Sequence, residues 1–430
     1  MHMLARACFL MLSAGFVCHS LCAQTPQPPA NLPPGNYDEA KVGTYTLPDP
    51  LVLSNGTRVR DAATWFNSRR PEIVQLFEEN QFGRSPQVAG DVTFDITEKA
   101  GSAFDGKATR RQLTVYFNRE KKGPKIDLLE YLPAAVTHPV PMLLCINFTA
   151  NSNMVNDPAV KAGEVWSRDH KKVPASQGMR FGSIDVPTLL AHGLGVAMFY
   201  YGDVEPDFAE GLPMGVRALF LKPSQMQPAP DEWGAIAAWG WGMSRVMDYL
   251  ETDTAVDSKR VAIFGVSRLG KTVLWAGARD TRFALVIASC SGEGGAALSR
   301  RDYGETVKNL TQRFGYQFCT NYQKFGDHVD QLPVDAHMLI SLIAPRPLLL
   351  QTGDRDFWSD PKGEFLAAVA AEPVYRLLGK QGLGTQEMPL AGQPILHTLG
   401  YYMHSGGHGA LPADWQKFIQ FLDMHLHSGE

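Results

Sequence analysis

Long apolar runs, cysteines and blocks of basic charge are all scarce in this sequence. Residues 7–18 are mostly apolar but too few to span a bilayer, and no other stretch is long enough. No run of Lys or Arg stands out, and 40 basic residues against 44 acidic ones leave a net charge of −4. A nucleic-acid-binding surface is therefore not expected. Only six cysteines occur. Three fall within the first 22 residues, which leaves Cys145, Cys290 and Cys319. An odd number excludes a disulfide scaffold and requires a free thiol in a monomer. Cys145 lies in an apolar run and is expected as a buried thiol. Cys290 and Cys319 could pair, a choice that spacing leaves open. The histidines lack ligand-like spacing with cysteines or carboxylates, so no metal and no cofactor is expected. There is no internal repeat.

What is present points to an exported α/β protein. Arg6, the apolar segment 7–18 and the small residue Ala23 have the pattern of a secretory signal, residues 1–23. The mature chain is then expected to be soluble, secreted or periplasmic, free of the membrane and a monomer. Residues 24–36 are proline-rich and read as an extended lead-in. Residues 37–430 read as a single catalytic domain, with 44% hydrophobic residues across the chain to build its core. A helix-like stretch covers 65–79. Alternating segments at 92–96, 111–116 and 125–131 predict antiparallel edge strands. The pattern then changes to short continuous apolar runs at 142–147, 195–200, 261–264, 284–288 and 347–351. Such runs suit strands buried on both faces. Helical stretches lie between them, notably 232–249, and a last helix covers 412–425. The expected fold is a mainly parallel sheet with helices on both faces. Insertions near 201–231 and 293–335, rich in Gly, Pro and aromatics, are candidate substrate surfaces.

Chemistry concentrates at VAIFGVSRLGK, residues 261–271. Strand, sharp turn, serine, helix is the nucleophile elbow of the α/β-hydrolase fold. Gly265 suits the crowded turn. The usual second glycine is displaced by one position, to Gly270. The alternative for Ser267 is a plain helix N-cap. Downstream, PRPLLLQTGDRDFWSDP (345–361) brings a strand into Asp354 and Asp356. Asp356 is placed as the triad acid and Asp354 as a turn-former. Near the last helix, His404 and His408 compete for the base, and the glycines around His408 favour it. Serine, acid, histidine is the chain order this fold uses. A serine hydroxyl is a poor nucleophile until an imidazole takes its proton and a carboxylate steadies the imidazolium. The backbone N–H of Arg268 is the expected oxyanion donor, with its guanidinium as a second.

These blocks resemble the glucuronoyl esterases, carbohydrate esterase family 15. The family marker Gly-Cys-Ser-Arg-x-Gly-Lys stands here as Gly265 to Lys271, with Val266 in the cysteine's place. The likeness continues through 290–295, 353–361 and 406–409, and covers about 140–425. The resemblance implies an α/β-hydrolase that cleaves esters of (4-O-methyl)glucuronic acid, as in glucuronoxylan joined to lignin. It implies Ser267 as nucleophile, His408 as base and Arg268 at the oxyanion, with Lys271, Glu305 and Trp358 holding the sugar. Without the marker cysteine, the disulfide of fungal members cannot form. Many members carry the acid where this chain has Cys290. Asp356 then has to serve, with Glu293 in reserve. The rivals are an acetyl xylan esterase or other α/β-hydrolase carboxylesterase, and a non-catalytic glycan-binding protein on the same fold.

Overall fold

The computed structural model describes residues 28–86, 92–176, 178 and 184–426. The expected signal and residues 24–27 of the lead-in lie outside the described residues. Strands are β1 (Thr93–Ala103), β2 (Ala108–Tyr116), β3 (Lys125–Pro133), β4 (Val140–Asn147), β5 (Glu164–Trp166), β6 (Lys172–Pro174), β7 (Gly195–Tyr200), β8 (Val256–Val266), β9 (Leu285–Ser289), β10 (Leu348–Gly353) and β11 (Leu399–His404). Helices are α1 (Ala62–Thr64), α2 (Arg70–Asn80), α3 (Val186–Ala191), α4 (Ala235–Leu250), α5 (Arg268–Arg279), α6 (Val307–Phe314), α7 (Ala336–Ser341), α8 (Pro361–Leu377) and α9 (Trp415–Leu426). A π-helical turn, Trp65–Arg69, joins α1 to α2.

Nine strands form one sheet in the order β1-β2-β3-β7-β4-β8-β9-β10-β11, and β5 pairs with β6 apart from it. Each of the first three strands pairs antiparallel with the next, and β3 pairs antiparallel with β7. From β7 to β11 every pairing is parallel. The antiparallel edge and the parallel centre match the expectation from sequence.

The apolar runs are continuous because the parallel strands are covered on both sides. All eight residues of β4 are buried. Successive side chains on a strand point to opposite faces. Accordingly Leu144, Ile146 and Ile263 pack into one core with α2, α4, α5, α7 and α8, while Leu143, Cys145 and Phe264 pack into another with α3 and α9. On the first face Phe82 stacks on Trp275 with ring centroids 4.6 Å apart. On the second, Phe264 meets Trp415 at 5.1 Å. Each such large side chain contributes roughly 2–3 kcal/mol through burial.

Three sequence expectations change. The segment leading to His404 and His408, which is not among the expected strands, forms edge strand β11. Residues 28–36 turn rather than extend: Asn36 Nδ2 donates to Asp302 O at 2.6 Å, and Gly304 N–H to Asn36 O at 2.8 Å. Cys290 and Cys319 are both free buried thiols and do not pair. Among the described residues no helix is long and apolar enough to cross a membrane.

Candidate active site

Four neighbouring parallel strands, β8 to β11, end on the same edge of the sheet. Just past their ends stand Ser267, Cys290, Asp356 and His408, in that order across the sheet. The carboxyl edge of an open α/β sheet is where ligands usually bind. Here the chain order of the strands and their spatial order coincide, so residues as many as 141 positions apart in the chain (408 − 267) are brought together.

Ser267 occupies a strained elbow, with φ 60° and ψ −127°. Such a conformation costs a non-glycine residue on the order of 1–3 kcal/mol. Its N–H donates to Ser289 O at 2.8 Å, which ties the elbow to β9. Its carbonyl accepts from Lys271 N–H at 3.1 Å and opens α5. The two glycines leave room for this. A Cβ on Gly265 would lie 2.3 Å from Leu269 O, and one on Gly270 would lie 2.8 Å from Ser289 O. The displaced glycine of the motif thus stands against β9.

His408 Nδ1 lies 2.7 Å from Asp356 Oδ2 and 3.2 Å from Ser359 Oγ. The carboxylate is buried, at 5% exposure, while the imidazole is 45% exposed and can reach a substrate. The His408 loop folds back over Gly353. A Cβ there would meet Gly407 O at 2.3 Å. Asp354 takes the turn role, accepting from Gly406 N–H at 2.8 Å. His404 is elsewhere engaged. It is buried at the end of β11, with Nδ1 2.7 Å from Asp414 Oδ2 and Nε2 2.9 Å from Gly407 O. Burial works against its charge, but those two contacts overcome it and raise its pKa.

Glu293, the reserve acid, is not joined to either histidine. It is buried and accepts from Ser299 Oγ at 2.6 Å and Tyr322 Oη at 3.4 Å. Burial raises its pKa to about 8. Cys290 fills the space beside the acid instead. It has φ 45°, and its Sγ accepts from Gly409 N–H at 3.3 Å.

The flanking cations differ. Arg268 pairs with Asp207 and lies over the Phe314 ring, 5.1 Å from its centroid. Burial opposes its charge, but Asp207 more than compensates, so its pKa is raised. Asp207 is itself held by Tyr201 Oη at 2.8 Å, Tyr316 Oη at 2.8 Å and Gln317 Nε2 at 2.7 Å. Lys271 is buried and donates to Ser291 O at 2.7 Å. Its pKa is lowered by burial, which the negative charge of Glu305 partly opposes.

A cleft of about 450 Å³ opens over this edge. Its walls include Ser267, Arg268, Lys271, Cys290, Glu305, Asp356, Trp358 and His408. All the residues expected at the site therefore line it except Glu293, which is buried and not part of the lining. Glu305 N–H donates to Trp358 O at 2.8 Å, which joins the two segments that carry these side chains. Sequence reasoning missed Leu32 and Pro33, Leu310, Arg313, Phe314 and Gln317, which also line the cleft. Only the aromatic, glycine-rich composition of the insertions signalled that such a surface would exist. Asp207 gave no local signal.

Known proteins carry the same architecture. A family model for fungal glucuronyl esterases matches residues 224–379. Carbohydrate esterase MZ0003, from an unknown prokaryotic organism, is 44% identical over 417 residues, spanning 94% of this chain and 96% of that protein. The solved glucuronoyl esterase from Solibacter usitatus is 44% identical, with a TM-score of 0.87 over 90% of this chain and 100% of that one. A promiscuous esterase of carbohydrate esterase family 15, from a marine bacterial metagenome, is also 44% identical, with a TM-score of 0.84 over 91% and 100%.

Proposed function

The chain belongs to carbohydrate esterase family 15, the glucuronoyl esterases, and from that membership we propose how its own residues hydrolyse esters of (4-O-methyl)glucuronic acid. Ser267 Oγ attacks the uronate carbonyl while His408 takes its proton. Asp356 holds the imidazole in the tautomer that leaves Nε2 free to accept. The 2.7 Å contact between His408 Nδ1 and Asp356 Oδ2, made on the wall that carries Ser267, is the observation that carries this reading. The tetrahedral oxyanion forms beside α5. Arg268 is the first residue of that helix, where backbone N–H groups have no intrahelical acceptor. Its N–H and guanidinium both suit a developing negative charge, a stabilisation worth roughly 3–4 kcal/mol per donor. The alcohol leaves with the proton from His408. Water, activated by the same imidazole, then releases the uronate from Ser267.

Lys271, Glu305 and Trp358 suit the sugar. An ammonium has three donors, and Ser291 uses one. Glu305 accepts from hydroxyls, and the Trp358 ring offers an apolar face with one N–H. The substrates in this reading are glucuronoxylan and its lignin esters, met by a monomer exported under the residue 1–23 signal. An acetyl xylan esterase would have no use for two cations flanking the nucleophile, and a glycan-binding protein would have none for an imidazole paired with a buried carboxylate.

The test is kinetic. On methyl glucuronate, Ser267→Ala abolishes turnover and Asp356→Asn lowers kcat by up to about four orders of magnitude. Glu293→Gln stays within about tenfold of the parent, because its carboxyl touches Ser299 and Tyr322 instead of His408. The reverse ranking would overturn Asp356 as the acid. Acetate release from acetylated xylan without uronate cleavage would overturn the substrate class.

A further inference from the structure

The linear spacing of the histidines gives no metal motif, but the fold assembles one. Cys290, Asp356 and His408 each place a ligand atom within 4.8 Å of the other two. They come from the ends of three adjacent strands, and all three line the cleft. A thiolate, an imidazole and a carboxylate form a donor set that suits zinc better than calcium or magnesium. Three protein ligands with a fourth position open to solvent is also the arrangement of accessible zinc sites. Ligands at zinc's bond lengths sit roughly 3–4 Å apart, so Asp356 and His408 need only separate slightly from 2.7 Å.

We propose that Cys290, Asp356 and His408 form an inhibitory site for Zn²⁺ or a similar soft divalent cation. The inhibition rests on the reading of His408 as the base. Binding replaces the hydrogen bond between Asp356 and His408. The Cys290 Sγ–H bond breaks and its proton leaves to solvent, giving a metal–thiolate bond. The His408 proton moves from Nδ1 to Nε2 as Nδ1 takes the metal. With Nε2 protonated, His408 has no lone pair to receive the Ser267 proton, and turnover stops. Nothing is oxidised, and removal of the metal restores the original tautomer.

Cys290 is what distinguishes this cleft from an ordinary serine, histidine and acid arrangement. Cys145 and Cys319 are buried in the core, away from the cleft lining. Serine at 290 keeps an acceptor for Gly409 N–H and nearly the same volume, so Cys290→Ser retains the fold.

The experiment uses chelator-treated enzyme, with Cd²⁺ and Zn²⁺ as probes. Cd²⁺ is expected to produce the ultraviolet thiolate-to-metal charge-transfer band, and Zn²⁺ to displace it. Zn²⁺ should inhibit ester hydrolysis at roughly micromolar concentration, reversibly with a chelator. Cys290→Ser should lose the band and need about a hundredfold more Zn²⁺ for inhibition, while Cys319→Ser behaves as the parent. No band in the unmodified enzyme, or equal Zn²⁺ inhibition in Cys290→Ser, overturns the site. A Cys290-dependent band with hydrolysis unaffected overturns the inhibition and counts against His408 as the base. The loss of turnover in Ser267→Ala tests the catalytic reading separately.

Discussion

Gly265 shows how much of an active site a missing side chain can set. Ser267 is held at positive φ while the chain reverses from β8 into α5. That reversal brings Leu269 O and C to 2.3 and 2.7 Å from where a Cβ of residue 265 would stand. Both atoms are backbone, so no rotamer change relieves the clash. Gly265→Ala is therefore expected to destabilise the protein by about 3 kcal/mol. It should also lower kcat, because any relaxation moves Ser267. Urea unfolding and ester hydrolysis measure the two effects. A variant as stable and active as its parent would show that the turn has room. The sequence made Gly265 legible as a residue of a crowded turn. It could not say that Leu269 O crowds it, because that approach depends on the elbow at Ser267, which is fixed by the carbonyl of Ser289 on a separate strand.

At the scale of elements, the insertion after β7 does more than wall the cleft. Its Asp207 meets Arg268 across 61 residues of chain, and three further side chains fix the carboxylate. Two of the three, Tyr316 and Gln317, come from the other insertion, so both excursions converge on one guanidinium. Asp207 is a positioning residue in this arrangement. Asp207→Asn keeps the shape but removes the charge that orients Arg268. It is expected to lower kcat about tenfold with little change in KM, since the oxyanion exists mainly in the transition state. Asp207→Glu should recover part of the loss. A change confined to KM would place Arg268 in ground-state binding instead. The sequence marked both insertions by composition. The pairing itself was hidden, because ion pairs between distant loops leave no periodic trace. Strand β11 was hidden for another reason. Leu399 to His404 is continuously buried, but the histidines and the glycines that follow them drew the reading towards a loop. The parallel strands at the centre were legible because burial on both faces writes an unbroken apolar run.

Over the whole molecule, the balance of buried carboxylates sets the response to pH. Burial is the leading cause that raises Glu130, Asp203, Glu293 and Glu364 to about 8 and Asp360 to about 6. Each binds its proton more tightly folded than unfolded. Their contribution to stability is complete below the unfolded carboxylate range, near ~4, and is lost as pH rises through about 6 to 8. His404 acts in the same direction, because its pKa is raised despite burial by Asp414 and Gly407. Other carboxylates act oppositely. Burial opposes ionisation at Glu39, Glu72 and Asp280, but Lys362 and Arg301, Ser54 and Arg69, and Arg282 respectively prevail, and at Glu98 the Arg110 bond leads. Their contribution is present above the unfolded carboxylate range and lost as pH falls below it. His337 and His425, lowered chiefly by burial, also favour higher pH, but only up to the ordinary histidine range. Among the carboxylates and histidines, the groups that gain stability with rising pH are thus finished by about pH 6.5, while four carboxylates near 8 go on losing it up to about pH 8; Lys271, lowered by burial, acts oppositely towards the ordinary lysine range. Thermal unfolding should therefore give a Tm that falls between about pH 6.5 and 8.5. Glu364→Gln, which removes one of those protons without leaving Gly292 N–H unpaired, should flatten the slope over that range. A Tm that rises from pH 6.5 to 8.5 would mean that these carboxyls are ionised in the folded protein, each in need of a cation. Lys271 is a buried cation whose charge acts on both Glu293 and Glu364. The Glu364→Gln slope is therefore to be compared in the parent and in Lys271→Met. A larger flattening in the absence of the lysine would show that this cation of the cleft and the buried acids share one proton balance.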